Sequence, residues 1–187
     1  MANTLDGSTR NKEMESVLLD VIKSLQDGQK GFAEIGEHLK DETTKFFLLR
    51  ESQIRAEFAA DLENELHRHG QHDVKEGGTA SGALHRVWGD FKAYLGASDH
   101  SLLETAEQGE DEAKKAYSKA LEADLPGDIR NVLEAQFRHI VESHNAVRDL
   151  RDGVSLEQIM TEAPQSTVIV TVVECDIPVE VKVTGSE

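Results

Sequence analysis

The chain has 187 residues, of which 36 are acidic and 20 are basic, so its formal net charge at pH 7 is −16. This charge argues against binding to nucleic acid or to an anionic membrane surface, because both need clustered lysine and arginine. The single cysteine, Cys175, excludes a disulfide framework and a thiolate cluster for zinc or iron–sulfur. No apolar run approaches the roughly 20 residues that span a bilayer, and the first residues hold no apolar signal core, so we expect a soluble cytoplasmic protein.

The first part of the chain predicts two long helices joined by a very short link. Across 11–39, residues at alternating spacings of three and four form one stripe: Leu18, Ile22, Leu25, Gln29, Phe32, Gly36 and Leu39. A second helix over 42–69 is expected to direct another set inward: Phe47, Ile54, Phe58, Leu62 and Leu66. Because the link around 40–41 is so short, the two helices should form an antiparallel hairpin.

The middle of the chain predicts a second hairpin of the same kind. A third helix carries a stripe with the same rhythm: Leu103, Ala106, Glu110, Ala113, Tyr117 and Ala120. After a Pro126-Gly127 turn, a fourth helix continues it: Leu133, Phe137, Ile140, His144 and Val147. Between the hairpins, a helix over 83–95 would be ~20 Å long at about 1.5 Å per residue. These elements predict an all-α domain over 9–153, a four-helix bundle with one long crossover of the ferritin-like kind.

The last residues, 154–187, differ in character and are expected to form a C-terminal extension. A short amphipathic piece ends at Pro164, and two β-branched runs follow that predict two strands. A lone two-stranded ribbon is marginally stable in water. It would therefore pair with another subunit, dock on the bundle or stay disordered. We expect the first, and hence a homo-oligomer, a dimer or larger.

Comparison of the two hairpins predicts a polar layer in the middle of the bundle. Gly28-Gln29 matches Gly109-Glu110, and Glu51-Ser52-Gln53 matches Glu142-Ser143-His144. When each hairpin is reflected about its turn, four polar side chains become level, one from each helix. The expected polar core layer, with the neighbouring arginine of the second helix, consists of Gln29, Arg50, Gln53, Glu110 and His144.

Two of these residues suit a metal ion, and the others do not. Di-iron bundles use carboxylates and imidazoles from all four helices, and here Glu110 and His144 would be suitable ligands. Gln29, Arg50 and Gln53 stand where ligands are needed. The layer is therefore interpreted first as a buried hydrogen-bond network that fixes helix register. A weakened or mononuclear metal site is the second interpretation. A complete di-metal site, which would need Glu57 or Asp27 to turn inward, is the third.

Two further groups of residues are candidate sites. His67, His69 and His72 lie at the end of the second helix, where histidines can collect zinc or nickel, although a solvated helix end is the simpler interpretation. The crossover could form a small-molecule pocket around His85, Trp88 and Tyr94. The sequence shows neither a phosphate-binding loop nor a nucleophile elbow.

Several segments resemble one bacterial family of ferritin-like four-helix bundles that is classed as a domain of unknown function. They are DGQKGFAEIGE at 27–37, SGALHRVWGDFKAYL at 81–95, EQGEDEAKKAY at 107–117 and SHNAVRDLRDG at 143–153. The Leu-His-Arg-x-Trp motif at 84–88 is the most specific of them, and the resemblance covers roughly 9–153. It implies the fold and no established activity, while ferritin-like relatives store iron, destroy peroxide or oxidise substrates with two metals.

The sequence therefore favours a non-enzymatic bundle that serves as a structural or interaction module. A stress-related role is one use of such a module. No cofactor is expected in this interpretation, and the protein partner is unknown. The alternative is a metal-binding or di-iron redox protein of the ferroxidase type, with iron held by Glu110 and His144.

Overall fold

A computed structural model of the protein describes residues 7–70 and 96–162, which are mostly helical and contain no strand. The described helices are α1 (Gly7–His38), α2 (Glu42–Arg68), α3 (Asp99–Glu122), α4 (Gly127–Arg151) and α5 (Leu156–Glu162). The prediction of helices is thus confirmed for these residues. The expected helix over 83–95 and the two expected strands of the extension lie outside them. Within the described ranges, every helix is too short or too polar to cross a bilayer.

Side-chain caps fix the points at which α2 and α3 begin. Asp41 accepts a hydrogen bond from the backbone N–H of Thr44 at 2.7 Å, and Ser98 caps α3 in the same way. The carboxylate of Asp99 accepts hydrogen bonds from the backbone N–H groups of Lys40 and Asp41 at 3.1–3.2 Å. The start of α3 is therefore tied to the link between α1 and α2.

The four long helices pack as antiparallel neighbours. Helices α1 and α2 form one hairpin, α3 and α4 form the second, and α1 also packs along α3. The direction follows from paired contacts: Arg10 of α1 contacts Asp124, just after the end of α3, and Asp20, ten residues later on α1, contacts Lys119 of α3. In the same way α2 meets α4 through Glu51 and His139 and later through His69 and Asp128.

The apolar core is divided into two clusters along the four long helices. One cluster includes Leu25 of α1, Ala59 of α2, Ala113 of α3 and Ile140 of α4 at its inner edge. The other begins at Phe32, Leu48, Ala106 and Val147 on the same four helices. In each helix the residues between these limits form a middle layer, and this layer contains most of the buried charge.

The inward face of α2 differs from the prediction. Leu62 and Leu66 are fully buried as expected, but Phe47, Ile54 and Phe58 lie at the edge of the core and are only partly buried. The buried line instead passes through Leu48, Glu51, Ser52, Arg55 and Ala59. The apolar pattern was misleading because charged side chains occupy interior positions of this helix, where charges from neighbouring helices compensate them.

Candidate functional site

The middle layer is built around Arg55 of α2. This side chain is the largest fully buried one in the described residues, and it is 1% exposed. Its Nη1 donates a hydrogen bond to Oε2 of Glu51, one turn earlier, at 3.0 Å. Its Nη2 donates to Oε1 of Glu110 on α3 and to Oγ of Ser143 on α4, the latter at 3.1 Å. The guanidinium group therefore joins three helices through charge-assisted hydrogen bonds.

Helix α1 completes the surroundings of the guanidinium group. The Cζ atom of Arg55 lies 5.3 Å from the centre of the Phe32 ring, within the range of a cation–π contact. Beside it, Oγ of Ser52 donates a hydrogen bond to the backbone oxygen of Gln29 at 2.7 Å, which holds α1 against α2. All four long helices therefore contribute to one buried polar layer.

Glu51 is the ionised carboxylate of this layer. Burial by itself would raise its pKa, but a hydrogen bond with His139 and the charge of Arg55 outweigh burial, and the pKa falls below its usual value. The Nε2 atom of His139 lies 3.0 Å from Oε2 of Glu51, and the His139 ring meets Phe58 edge-on. Glu51 thus links α2 to α4 while it balances the charge of Arg55.

Glu110 differs from Glu51, because burial raises its pKa by more than the opposing effect of Arg55 lowers it. One of its oxygens accepts the hydrogen bond from Arg55, whereas Oε2 is buried and has no hydrogen-bond partner. This oxygen is the natural place for a proton. The pKa of Arg55 is itself raised, since the two glutamates outweigh its burial.

The predicted metal ligands, Glu110 and His144, are both buried, but they have different partners. Nε2 of His144 lies 3.1 Å from Oδ1 of Asp111 and 4.0 Å from Oε1 of Glu107, both on α3. The carboxylate of Glu110 is held by Arg55. In the described part of the chain, no group of three potential ligands includes this pair.

The other members of the predicted polar layer need correction. Arg50 and Gln53 are exposed, and Gln29 is only half-buried. For Arg50 and Gln53 the physical reason is the rotation of α2: its interior line passes through Glu51, Ser52 and Arg55, so Arg50 and Gln53 lie on the solvent side of the helix. Arg55 therefore provides the positive charge that the prediction assigned to Arg50.

Sequence reasoning missed Arg55, His139 and the role of Ser143, although one regular pattern indicates the first of them. When the rhythm of Leu66 and Leu62 is continued backward in steps of three and four, it reaches Ala59, Arg55 and Leu48. The sequence repeat between the two hairpins is also visible in the structure, because the equivalent serines, Ser52 and Ser143, are both buried.

Where the end of α2 meets the start of α4, a different set of residues has the composition of a metal site. Glu65, His69 and Asp128 each offer one ligand atom, and these atoms lie within 4.8 Å of one another. Of the predicted helix-end histidines, His69 belongs to this group, and His72 lies outside the described residues. The predicted pocket around His85, Trp88 and Tyr94 also lies outside them.

Comparison with known proteins places the chain in a family. No curated protein matches it. The profile of a family described as "Domain of unknown function (DUF2383)" matches residues 13–123, more than half of the chain. The match includes Arg55 and Glu110 and ends before α4, which supplies Ser143 and His139. The chain belongs to this DUF2383 family.

Proposed function

We propose that the protein is a non-enzymatic structural or interaction module, a ferritin-like four-helix bundle in which an arginine replaces the metal centre. The observation that carries the proposal is the position of the Arg55 guanidinium group, buried between Glu51 and Glu110. In di-metal bundles, carboxylates at this depth bridge two cations. Here the chain supplies its own cation, and the two glutamates bind it.

The arrangement of the described helices supports the ferritin-like part of the proposal. The end of α2 lies beside the start of α4, because His69 contacts Asp128. The start of α3 lies at the opposite end, beside Lys40. The end of α2 and the start of α3 therefore lie at opposite ends of the four long helices, as do the two helix ends that the single long crossover joins in ferritin-like proteins. We accordingly propose a bundle domain over 9–153 and a separate extension over 154–187.

The electrostatics of the layer support a metal-free interior. A metal ion here would lie next to a buried guanidinium group, and repulsion between like charges is strong where water is excluded. Arg55 cannot relieve this repulsion by losing its proton, since Glu110 and Glu51 raise its pKa further. Its side chain is also enclosed by four helices, so leaving the layer would expose two carboxylates to an uncompensated interior.

The decisive experiment is metal analysis of the purified chain after aerobic incubation with ferrous iron. We expect that no bound iron depends on the buried layer around Arg55. The wild type and Glu110→Gln should therefore retain equal amounts of iron, measured by mass spectrometry. Near-ultraviolet absorption of an oxidised di-iron centre should be missing from both. About two irons per chain in the wild type, lost in Glu110→Gln, would overturn the proposal.

A second candidate function is metal binding by Glu110 and His144. The observation in its favour is the buried, unpartnered Oε2 of Glu110 on the same side of α3 as the carboxylates around His144. His144→Leu distinguishes the two candidates. The substitution should abolish iron uptake if His144 is a ligand, and it should leave metal content unchanged if the layer is structural.

We also propose that the protein forms homo-oligomers through its extension. The support is the β-branched composition of residues 166–187, which gives two predicted strands that are too few to be stable alone. Removal of 166–187 should preserve helicity, measured by circular dichroism, and lower the number of subunits per particle, measured by light scattering. An unchanged number of subunits would show that the extension has no role in assembly.

A further inference from the structure

We propose that Glu65, His69 and Asp128 form a zinc site where the end of α2 meets the start of α4. The three donor atoms lie within 4.8 Å of one another, and Nε2 of His69 lies 3.1 Å from Oδ2 of Asp128. This site is separate from the Arg55 layer and does not depend on the function proposed for it.

The backbone holds all three side chains in place. Glu65 and His69 are four residues apart, and the backbone N–H of His69 donates to the backbone oxygen of Glu65 at 3.1 Å. Gly70 follows the end of α2, and its φ of 84° is a left-handed conformation that favours glycine. Across the junction, Oδ1 of Asp128 accepts a hydrogen bond from the backbone N–H of Ile129 at 3.0 Å. That bond leaves Oδ2 directed at His69.

An unusual feature of Glu65 indicates that something else belongs here. This residue is only 7% exposed, and its Oε2 atom is buried without a hydrogen-bond partner. A buried carboxylate oxygen that makes no hydrogen bond costs free energy, so such atoms usually have a partner. A cation at the junction would provide one. The other oxygen, Oε1, accepts a hydrogen bond from Arg68.

The geometry suits zinc. Zinc binds imidazole nitrogen and carboxylate oxygen at about 2.0–2.2 Å, which places tetrahedral ligands about 3.3 Å apart. His69 and Asp128 are already close to that separation. Zinc would take the position of the proton that His69 and Asp128 share in their hydrogen bond. Two carboxylates neutralise the ion.

The fourth coordination position is open to water, because His69 and Asp128 keep part of their surface in solvent. Their side chains are 28% and 53% exposed. Three protein ligands with one open position describe an accessible zinc site rather than a closed structural one. Zinc can therefore enter and leave without unfolding of the helices.

The test is titration of the full chain with zinc chloride in competition with a chromophoric chelator. We expect one zinc per chain and at least a tenfold loss of affinity in His69→Ala and in Glu65→Gln. The matched control is His67→Ala, which removes a histidine from the same helix end but no proposed ligand and should leave the affinity unchanged.

Three results would overturn the proposal. They are no zinc binding by the wild type, equal binding by Glu65→Gln, and loss of binding in His67→Ala, which would assign the zinc to the run of histidines. Circular dichroism of each variant checks folding. His69 is partly exposed, so His69→Ala should stay helical even if the buried Glu65→Gln does not.

Discussion

The middle layer around Arg55 (the Arg55 layer) and the group of Glu65, His69 and Asp128 at the end of α2 (the helix-end group) contain similar residue types. They differ in exposure to solvent. Each contains a glutamate with one oxygen bound by arginine and the other without a partner, and each has a histidine nearby. The arginine of the layer, Arg55, is 1% exposed, whereas the side chain of Arg68 at the helix end is 63% exposed. An arginine paired with a glutamate is therefore a fixed internal cation in the Arg55 layer, whereas the arginine at the helix end can be displaced by another cation.

This difference explains which of the two places can accept a metal ion. Moving Arg55 out would leave Glu51 and Glu110 buried without compensation, which is strongly unfavourable. Moving Arg68 away from Glu65 costs little, because an exposed arginine regains its hydration and exposed ion pairs contribute weakly. The interior site is thus closed by its own arginine, and the helix end is open.

The largest expected effect comes from removal of the internal cation. Arg55→Met should lower the free energy of unfolding by about 3–5 kcal/mol, because two buried carboxylates lose their partner. Denaturant unfolding followed by circular dichroism measures the loss. Arg50→Met is the matched control on the exposed face of α2, and its effect should stay within about 0.5 kcal/mol.

A further variant tests whether charge causes this loss. When Glu51→Gln and Glu110→Gln are added to Arg55→Met, most of the lost stability should return, since a neutral layer has no charge to compensate. A loss below about 1 kcal/mol in Arg55→Met alone would show that the layer does not depend on its cation.

The hydroxyl group of Ser143 should give the next largest effect. Ser143→Ala removes an acceptor from the charged Nη2 of Arg55, and hydrogen bonds to charged groups contribute about 1.5–3 kcal/mol. Ser118→Ala, on the exposed face of α3, gains the same helix propensity and loses no such bond. The difference between the two variants in denaturant unfolding therefore measures what the buried hydroxyl group of Ser143 contributes to stability. Equal stability of the variants would contradict the role assigned to Ser143.

Glu110 makes the stability of the layer depend on pH. Because its pKa is raised above 4.5, the folded chain holds a proton on Glu110 at pH values where the unfolded chain has lost it. The free energy of unfolding should therefore fall as pH rises from 4.5 through the folded pKa. Glu51 has a lowered pKa, so the stability that it contributes is lost below 4.5, in a separate range.

The measurement compares urea unfolding of the wild type and Glu110→Gln between pH 5 and pH 8. The fall in stability due to Glu110 should be missing from the variant. Glu104→Gln, at an exposed position of α3, is the control and should follow the wild type. Parallel curves for the wild type and Glu110→Gln would contradict a raised pKa.

The sequence predicts the helices well and the interior of the site poorly, for one physical reason. Stripes on α1, α3 and α4 are mostly apolar, so periodicity alone places Leu25, Glu110 and Ile140 inside. On α2 the apolar residues Phe47 and Phe58 compete with a charged line through Arg55. Only compensation by Glu110 and Ser143, on other helices, allows that line to be buried.

The helix-end group shows the same limit of sequence reasoning, here for residues that are far apart along the chain. Glu65 and His69 are four residues apart, and this spacing can be read from the sequence. Asp128 follows 59 residues after His69 and reaches it only because α2 and α4 are antiparallel neighbours. The burial of Glu65 likewise depends on packing between helices. A sequence pattern can therefore suggest one half of this group, and the fold supplies the other.

The smallest predicted effect concerns Arg68, the exposed arginine of the comparison. Arg68→Gln removes a positive charge that competes with zinc for Glu65, so the affinity for zinc should rise by about two- to fivefold, as expected for a weak exposed ion pair. Competition titration with zinc chloride measures the change. Arg148→Gln, which removes an exposed arginine near the other end of α4, should leave the affinity unchanged. Weaker binding in Arg68→Gln would mean that Arg68 orients Glu65 rather than competing for it, and the helix end would then resemble the Arg55 layer more closely than its exposure suggests.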